Sequence, residues 1–194
     1  MATLYVLQGG RAEWADERRI DSTVGVPLDA EGIEATRDMA AQLTDCDIKA
    51  VYACHGASQW QAAEIVADTL KLKPVHRSAL GELDFGLWQG LLVKEVKQRY
   101  AKAYRQWRCG GGDAGPPGGE TFVQAQDRVC RAAGRILKRH KGQDVLLVLE
   151  PVAASLLKCR LNACDLSDVW DRIDWTPAWR TYELDDGKAM EVQS

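Results

Sequence analysis

Three short, mainly apolar runs separated by long amphipathic stretches constrain this chain more than any other feature. Residues 4–7, 48–53 and 145–149 are each too short and too apolar for a surface helix. Such runs mark strands buried on both faces, here expected to be parallel neighbours. Between them, residues 29–43 open on a cap-like Asp29 and carry Ile33, Met39 and Leu43 at near-helical spacing. Residues 57–70 repeat the pattern through Ala62, Ile65, Val66 and Leu70, and residues 121–137 place Phe122, Ala125, Val129, Ala132 and Ile136 on one stripe. This alternation predicts an α/β protein, a three-layer α/β/α sandwich whose helices cover both faces of a mostly parallel central sheet. Residues 93–107 predict a further helix, polar enough to lie outside. Residues 109–119, glycine-rich with Pro116 and Pro117, predict a loop and the most mobile segment. Residues 179–192 combine an alternating run, an Asp185-Asp186-Gly187 turn and a second run, which predicts a terminal hairpin.

Composition narrows the function classes. With 194 residues, 46% hydrophobic and 27% charged, the chain reads as one soluble globular domain spanning residues 1–194, large enough for a core without disulfide or metal staples. A net charge of −3 with dispersed Lys and Arg argues against a nucleic-acid partner. No run approaches about 18 apolar residues and the first residues do not resemble a signal peptide, so neither a membrane span nor secretion is expected, and a cytoplasmic location is. Cys46, Cys54, Cys109, Cys130, Cys159 and Cys164 form no C-x-x-C pair, so no metal site and no cofactor are expected, and the cysteines read as reduced, mostly buried thiols. His55 and His76 find no partner in the sequence pattern, and His140 reads as a solvated helix end.

In a doubly wound sheet, ligands bind beyond the carboxyl ends of the strands, which gathers Gln8, Gly9, Cys54 and Glu150 around one crevice. The text of the chain around these positions resembles the histidine phosphatase superfamily, the phosphoglycerate mutase-like proteins, in six ordered segments. Leu4-Tyr5-Val6-Leu7-Gln8-Gly9-Gly10-Arg11 is similar to the strand and Arg-His-Gly that open the family. Pro27-Leu28-Asp29-Ala30-Glu31-Gly32 resembles its Pro-Leu-Thr-x-x-Gly, and Gln61-Ala62-Ala63-Glu64-Ile65 its Gln-Thr-Ala-Glu-Ile helix. Leu80-Gly81-Glu82-Leu83-Asp84-Phe85-Gly86 resembles the segment bearing the catalytic acid, Pro117-Gly118-Gly119-Glu120-Thr121-Phe122 the substrate-side loop, and Val148-Leu149-Glu150-Pro151 the strand that ends in a second His-Gly. The resemblance implies a phosphoglycerate mutase-like fold and a phosphate pocket.

The departures fall on the positions that the resemblance makes chemical. The nucleophilic His is Gly9, which has no side chain to accept a phosphoryl group. The clamping arginines are Gln8 and Ser58, the second pocket His is Glu150, and a nearby Asn is Ala15. Of the implied set only the acid, Glu82, is retained. The pocket positions Gln8, Gly9, Ser58, Glu82 and Glu150 therefore read as vestigial for catalysis, and Gln8, Gly10, Cys54, Glu82, Glu150 and Pro151 as candidate ligand contacts for a small molecule in the former phosphate pocket. The expected function is a catalytically inactive family member, a pseudoenzyme with a binding, regulatory or structural role.

Alternatives stay open. A hydrolase of altered mechanism could use Glu82, Glu150 or Cys54 on a small phosphorylated or neutral substrate. Cys54 adjoins His55, but the residue six positions on is Trp60, whereas a cysteine phosphatase needs Arg there. Gln8-Gly9-Gly10 could form an anion nest, although a flexible turn is the plainer reading. Glu82 with Glu150 could hold a cation or perform acid–base work. Trp170, Trp175 and Trp179 read as core residues or as the surface for a protein partner or homodimer.

Overall fold

The computed structural model describes residues 2–9, 12, 19–20, 26–109, 111–166, 169, 173 and 175–184. Among them, strands β1 (Ala2–Gln8), β2 (Ile48–Ala53), β3 (Pro74–His76), β4 (Asp144–Leu149) and β5 (Ala178–Leu184) form one sheet in the order β3-β2-β4-β1-β5. The first four run parallel, with Leu4 opposite Val145, Gln8 opposite Leu149, and Val51 opposite Leu146. β5 closes the edge antiparallel to β1, with Ala2 opposite Leu184.

The pleat sends alternate residues of each strand into different cores. Leu4, Val6, Ala50, Tyr52, Val145 and Leu147 pack with Val129, Ala133 and Ile136 of α5 (Phe122–Arg139) and with Ala153 and Leu157 of α6 (Pro151–Leu161). Tyr5, Leu7, Val51, Leu146 and Val148 face the other way, onto Met39 and Ala40 of α1 (Ala30–Gln42) and Ala62, Ala63 and Val66 of α2 (Ala57–Thr69). The three layers and the mostly parallel sheet are those read from the sequence. The Asp29 cap is also as expected, Oδ1 accepting from the Gly32 N–H at 2.7 Å, and Thr121 with Gln124 adds a capping box at the start of α5.

Three expectations need correction. Residues 93–107 do not form one outlying helix; α3 (Val93–Arg99) and α4 (Ala101–Cys109) meet at a break at Tyr100 and cover a third core. Val96, Trp88, Trp107, Phe122 and Leu156 are buried together there, because Val93, Val96, Tyr100, Tyr104 and Trp107 recur every three or four residues and form an apolar stripe despite the polar remainder. The cysteines are free but not mostly buried: Cys130 and Cys159 are, Cys46, Cys54 and Cys164 are half-buried, and Cys109 is exposed at the end of α4. His140 is not a solvated end. It caps α5, with Nε2 2.8 Å from the Tyr52 hydroxyl and Nδ1 3.0 Å from Gln143 Oε1. The first run of the expected hairpin forms β5 and pairs with β1, while the turn and the second run lie outside the described residues.

Two elements were not expected from the pattern. β3 is only three residues long. α6 is buried around most of its circumference, through Val152, Ala153, Leu156, Leu157 and Cys159, so it shows no stripe to read. The glycine-rich loop is tied to the segment before α3: the Leu87 N–H donates to the Pro117 carbonyl at 3.0 Å, and the Glu120 N–H to the Asp84 carbonyl at 2.9 Å. Gly86 permits this contact, since it sits at φ +49 and a Cβ there would fall 2.5 Å from Pro117 O.

Candidate functional site

The sheet order brings the carboxyl ends of β2, β4 and β1 side by side, and the candidate residues hang from them. Gln8 is the last residue of β1; it is buried and its Nε2 donates to the Thr176 carbonyl at 3.3 Å. Gly9 follows against α2, where an added Cβ would stand 3.1 Å from the Ala62 Cβ. Cys54 follows β2 and is half-buried, its Sγ close enough to Gly81 that a Cβ on that glycine would lie 3.2 Å away. Ser58 occupies the first turn of α2. Glu150 follows β4 and is the N-cap residue of α6, with Pro151 at the first helical position.

Two carboxylates divide the work at this point of the fold. Glu150 makes no side-chain bond to its own helix. It turns toward α2 instead, where Ser58 Oγ–H donates to Glu150 Oε1 at 2.7 Å, joining the end of β4 to the start of α2 across the cleft. The first N–H groups of α6 are left to Glu82, which reaches in from the loop after β3. Val152 N–H donates to Glu82 Oε2 at 2.8 Å and Ala153 N–H to Oε1 at 2.9 Å, with Leu83 N–H adding a bond to Oε1 at 2.7 Å. A helix start needs acceptors for its unpaired amides, so Glu82 acts here as a remote cap. Its carboxyl is pushed up to about 8 by burial and then by the charge of Glu150, against the pull of the three amides. Glu82 thus holds its proton well above the usual carboxylate range, beside the Glu150 side chain that Ser58 binds.

Two residues that sequence reasoning missed hold this arrangement. Arg128 of α5 donates to the carbonyls of Ala79, Gly81 and Glu82 at 3.1, 2.9 and 3.0 Å and forms a bidentate pair with Glu120 at 2.7 and 2.6 Å. The hydrogen bonds and charge of Arg128 outweigh burial and hold the Glu120 carboxyl below the usual carboxylate range. Gln59, buried in α2, donates to Val148 O at 2.6 Å and Leu80 O at 3.2 Å, fixing the end of β4 to the Glu82 loop. The available signal was position: Arg128 adjoins the apolar stripe of α5, and Gln59 that of α2.

The remaining candidates are dispersed. His55 stacks on Trp60 with centroids 4.2 Å apart and meets His76 edge-on at 3.9 Å, at the outer rim of β2 and β3. Trp175 is 63% exposed, whereas Trp179 is half-buried, donates to Gln42 Oε1 at 3.1 Å and lies 6.3 Å from the Tyr5 ring. Gly10, Ala15 and Trp170 lie outside the described residues. Among the described residues no three His, Cys, Asp or Glu converge as a metal site, and no helix is long and apolar enough to cross a membrane.

A parallel sheet whose β1, β2 and β4 ends gather beside a buried glutamate at residue 82 is the framework of a known class. The chain belongs to the histidine phosphatase superfamily (branch 1), whose family model matches residues 4–192. It is 25% identical over 170 residues to phosphoserine phosphatase 1 of Hydrogenobacter thermophilus, covering 88% of this chain and 81% of that protein. Identity to the probable phosphoglycerate mutase GpmB of Salmonella choleraesuis is 26% over 188 residues, covering 90% and 86%. The structure matches Bacillus stearothermophilus YhfR with a TM-score of 0.90 at 25% identity over 96% of this chain and 93% of that one. It shares its fold with the alpha-ribazole phosphatase of Shigella flexneri at a TM-score of 0.84 and 24% identity, covering 95% and 91%.

Proposed function

We propose that this chain is a non-catalytic histidine-phosphatase-superfamily protein whose former phosphate cleft serves binding or regulation. The observation that carries the reading is the Ser58–Glu150 hydrogen bond, 2.7 Å long, set beside Glu82. Where a phosphate would need two guanidinium donors and a histidine, the chain has a hydroxyl, an amide, a glycine and a carboxylate. Hydrogen bonds to charged groups contribute roughly 1.5–3 kcal/mol each, so two absent arginines weaken phosphate binding by several kcal/mol before the repulsion of Glu150 is counted. Loss of a nucleophile from a concerted set costs about a millionfold in turnover. Glu82 retains a use that needs no chemistry, as the acceptor for the start of α6.

The test is turnover of an aryl phosphate and a panel of sugar phosphates and phosphoserine between about pH 5 and pH 8, with Glu82→Gln prepared identically. Turnover no greater than that of the variant is the expected result; turnover that disappears in the variant overturns the reading. One observation favours a second reading. A carboxyl at about 8 is a competent general acid near neutral pH, and several similar proteins carry phosphatase names, including the phosphoserine phosphatase. A hydrolase of altered mechanism, using Glu82 with Glu150 or Cys54 on a small phosphomonoester, is what the second outcome would establish.

A further inference from the structure

The end of α6 remote from the cleft stops in a left-handed turn at Ala163, φ +52. Cys164 N–H donates to the Cys159 carbonyl at 2.9 Å and, nested inside it, Ala163 N–H donates to the Arg160 carbonyl at 3.3 Å. This pair of bonds is a Schellman stop, a motif that turns the side chains of its first and last residues toward each other. Here those residues are both cysteines. Cys159 Sγ lies 3.1 Å from the Cys164 carbonyl oxygen, so the sulfur reaches across the turn to its partner's backbone. Cys159 is buried and Cys164 half-exposed, and both are thiols.

We propose that Cys159 and Cys164 form a redox modification site, converted by a low-molecular-weight disulfide such as oxidised glutathione into an intramolecular disulfide across the C-terminal end of α6. The reaction is two exchanges. The Cys164 thiolate attacks one sulfur of oxidised glutathione, and the first glutathione leaves as a thiolate. The Cys159 thiolate then attacks Cys164 Sγ, breaking the mixed disulfide and expelling the second glutathione. Two electrons pass from the cysteine pair to glutathione, and the two cysteine protons end on the two departing thiolates. The accessible thiol meets the oxidant and the buried one resolves it. A disulfide needs Cα atoms about 4.4–6.8 Å apart, a span the direct backbone hydrogen bond between the same two residues keeps within reach.

Cys130 is the rival partner, since it is buried on α5 close enough to Cys159 to feel its charge. Burial pushes its thiol up to about 11, which keeps it protonated and slow to exchange. The proposal concerns the opposite end of α6 from the cleft and is independent of whether the cleft is catalytic.

The test uses the folded full-length chain carrying Cys109→Ser, which removes the exposed thiol, equilibrated against graded ratios of oxidised to reduced glutathione without denaturant. Remaining thiols are alkylated and the protein is digested with trypsin, which cuts after Lys158 and Arg160. The expected product is a Cys159-containing peptide joined to the Cys164-containing peptide, with Cys130 alkylated. A Cys130–Cys159 link, a Cys164–glutathione adduct that persists beside an alkylated Cys159, or linkage only in denaturant would each overturn the proposal. Cys164→Ser should lose the link and leave Cys159 alkylatable only after unfolding.

Discussion

Glu82 gives the structure its sharpest pH signature. Its ordinary value is 4.5 and the fold raises it to about 8, so between those values the folded chain holds a proton that the unfolded chain has released. A group bound more tightly to its proton in the native state makes stability fall as pH rises, and the loss is complete once pH passes the folded value. Integrating between the two values gives a loss of roughly 3–4 kcal/mol from about pH 5 to about pH 8, a large part of the roughly 5–15 kcal/mol that holds a domain folded. Glu82→Gln cannot titrate. It pays a fixed cost for turning an N–H₂ toward one of the α6 amides, but that cost does not vary with pH. His76, whose value is lowered by burial and then by His55 and Arg77, titrates in the same window with the opposite sign. It does so in both proteins, so it cancels in their difference. Urea unfolding at several pH values on wild type and Glu82→Gln should therefore show the variant gaining on wild type by roughly 3–4 kcal/mol across the window. A flat difference, or one that favours wild type as pH rises, would show that the three amides and the helix start outweigh burial and Glu150, and that Glu82 is a carboxylate throughout.

Four further outcomes follow from the contacts. Arg128→Ala removes the bidentate partner of Glu120, which keeps only the Asp84 N–H, and the side-chain donor of three carbonyls, and should cost about 3 kcal/mol in urea unfolding, with Arg128→Lys recovering only part because a point charge cannot span the same fork. Gly86→Ala, which drives a Cβ to 2.5 Å from backbone, should either lower the thermal midpoint steeply or prevent folding. Gly90→Ala, at φ +75 with nothing within 4 Å, should cost only about 1 kcal/mol of conformational strain on the same melting assay. Trp107→Ala should destabilise by about 3–5 kcal/mol, because the ring is buried between Trp88 and Phe122 at centroid distances of 5.2 and 5.6 Å; a loss under about 1 kcal/mol would mean that α4 is peripheral after all.

What could be read from the residues divides along physical lines. The three central strands were legible because burial on both faces leaves an unbroken apolar run, and α1, α2 and α5 because one buried face leaves a stripe. α6 was not, since a helix buried nearly all round carries no period. α3 and α4 were misplaced because Lys94, Lys97 and Arg99 mask a stripe that Val96 and Trp107 complete. In the cleft, positions 8, 9, 58, 82 and 150 could be located from strand ends and family resemblance. The division of labour between the two glutamates could not. Glu82 caps a helix that begins 70 residues later, and Arg128 holds a loop more than 40 residues earlier; pairings at that separation leave no trace in local pattern.

The place of β1 in the sheet has a consequence for how the protein comes into being. β1 precedes the other strands of the sheet, yet its neighbours are β4 and β5, and its Thr3 N–H closes on Asp144 Oδ1 at 2.8 Å, a contact 141 residues apart. On the ribosome Leu4, Val6 and Leu7 therefore wait, with both edges of their strand unpaired, until β4 has emerged. Closure over such distances is slow, and an unpaired apolar strand is open to pairing with another chain meanwhile. Synthesis halted after α5 would leave this strand without either of its partners, so premature termination should yield aggregation rather than a smaller folded protein.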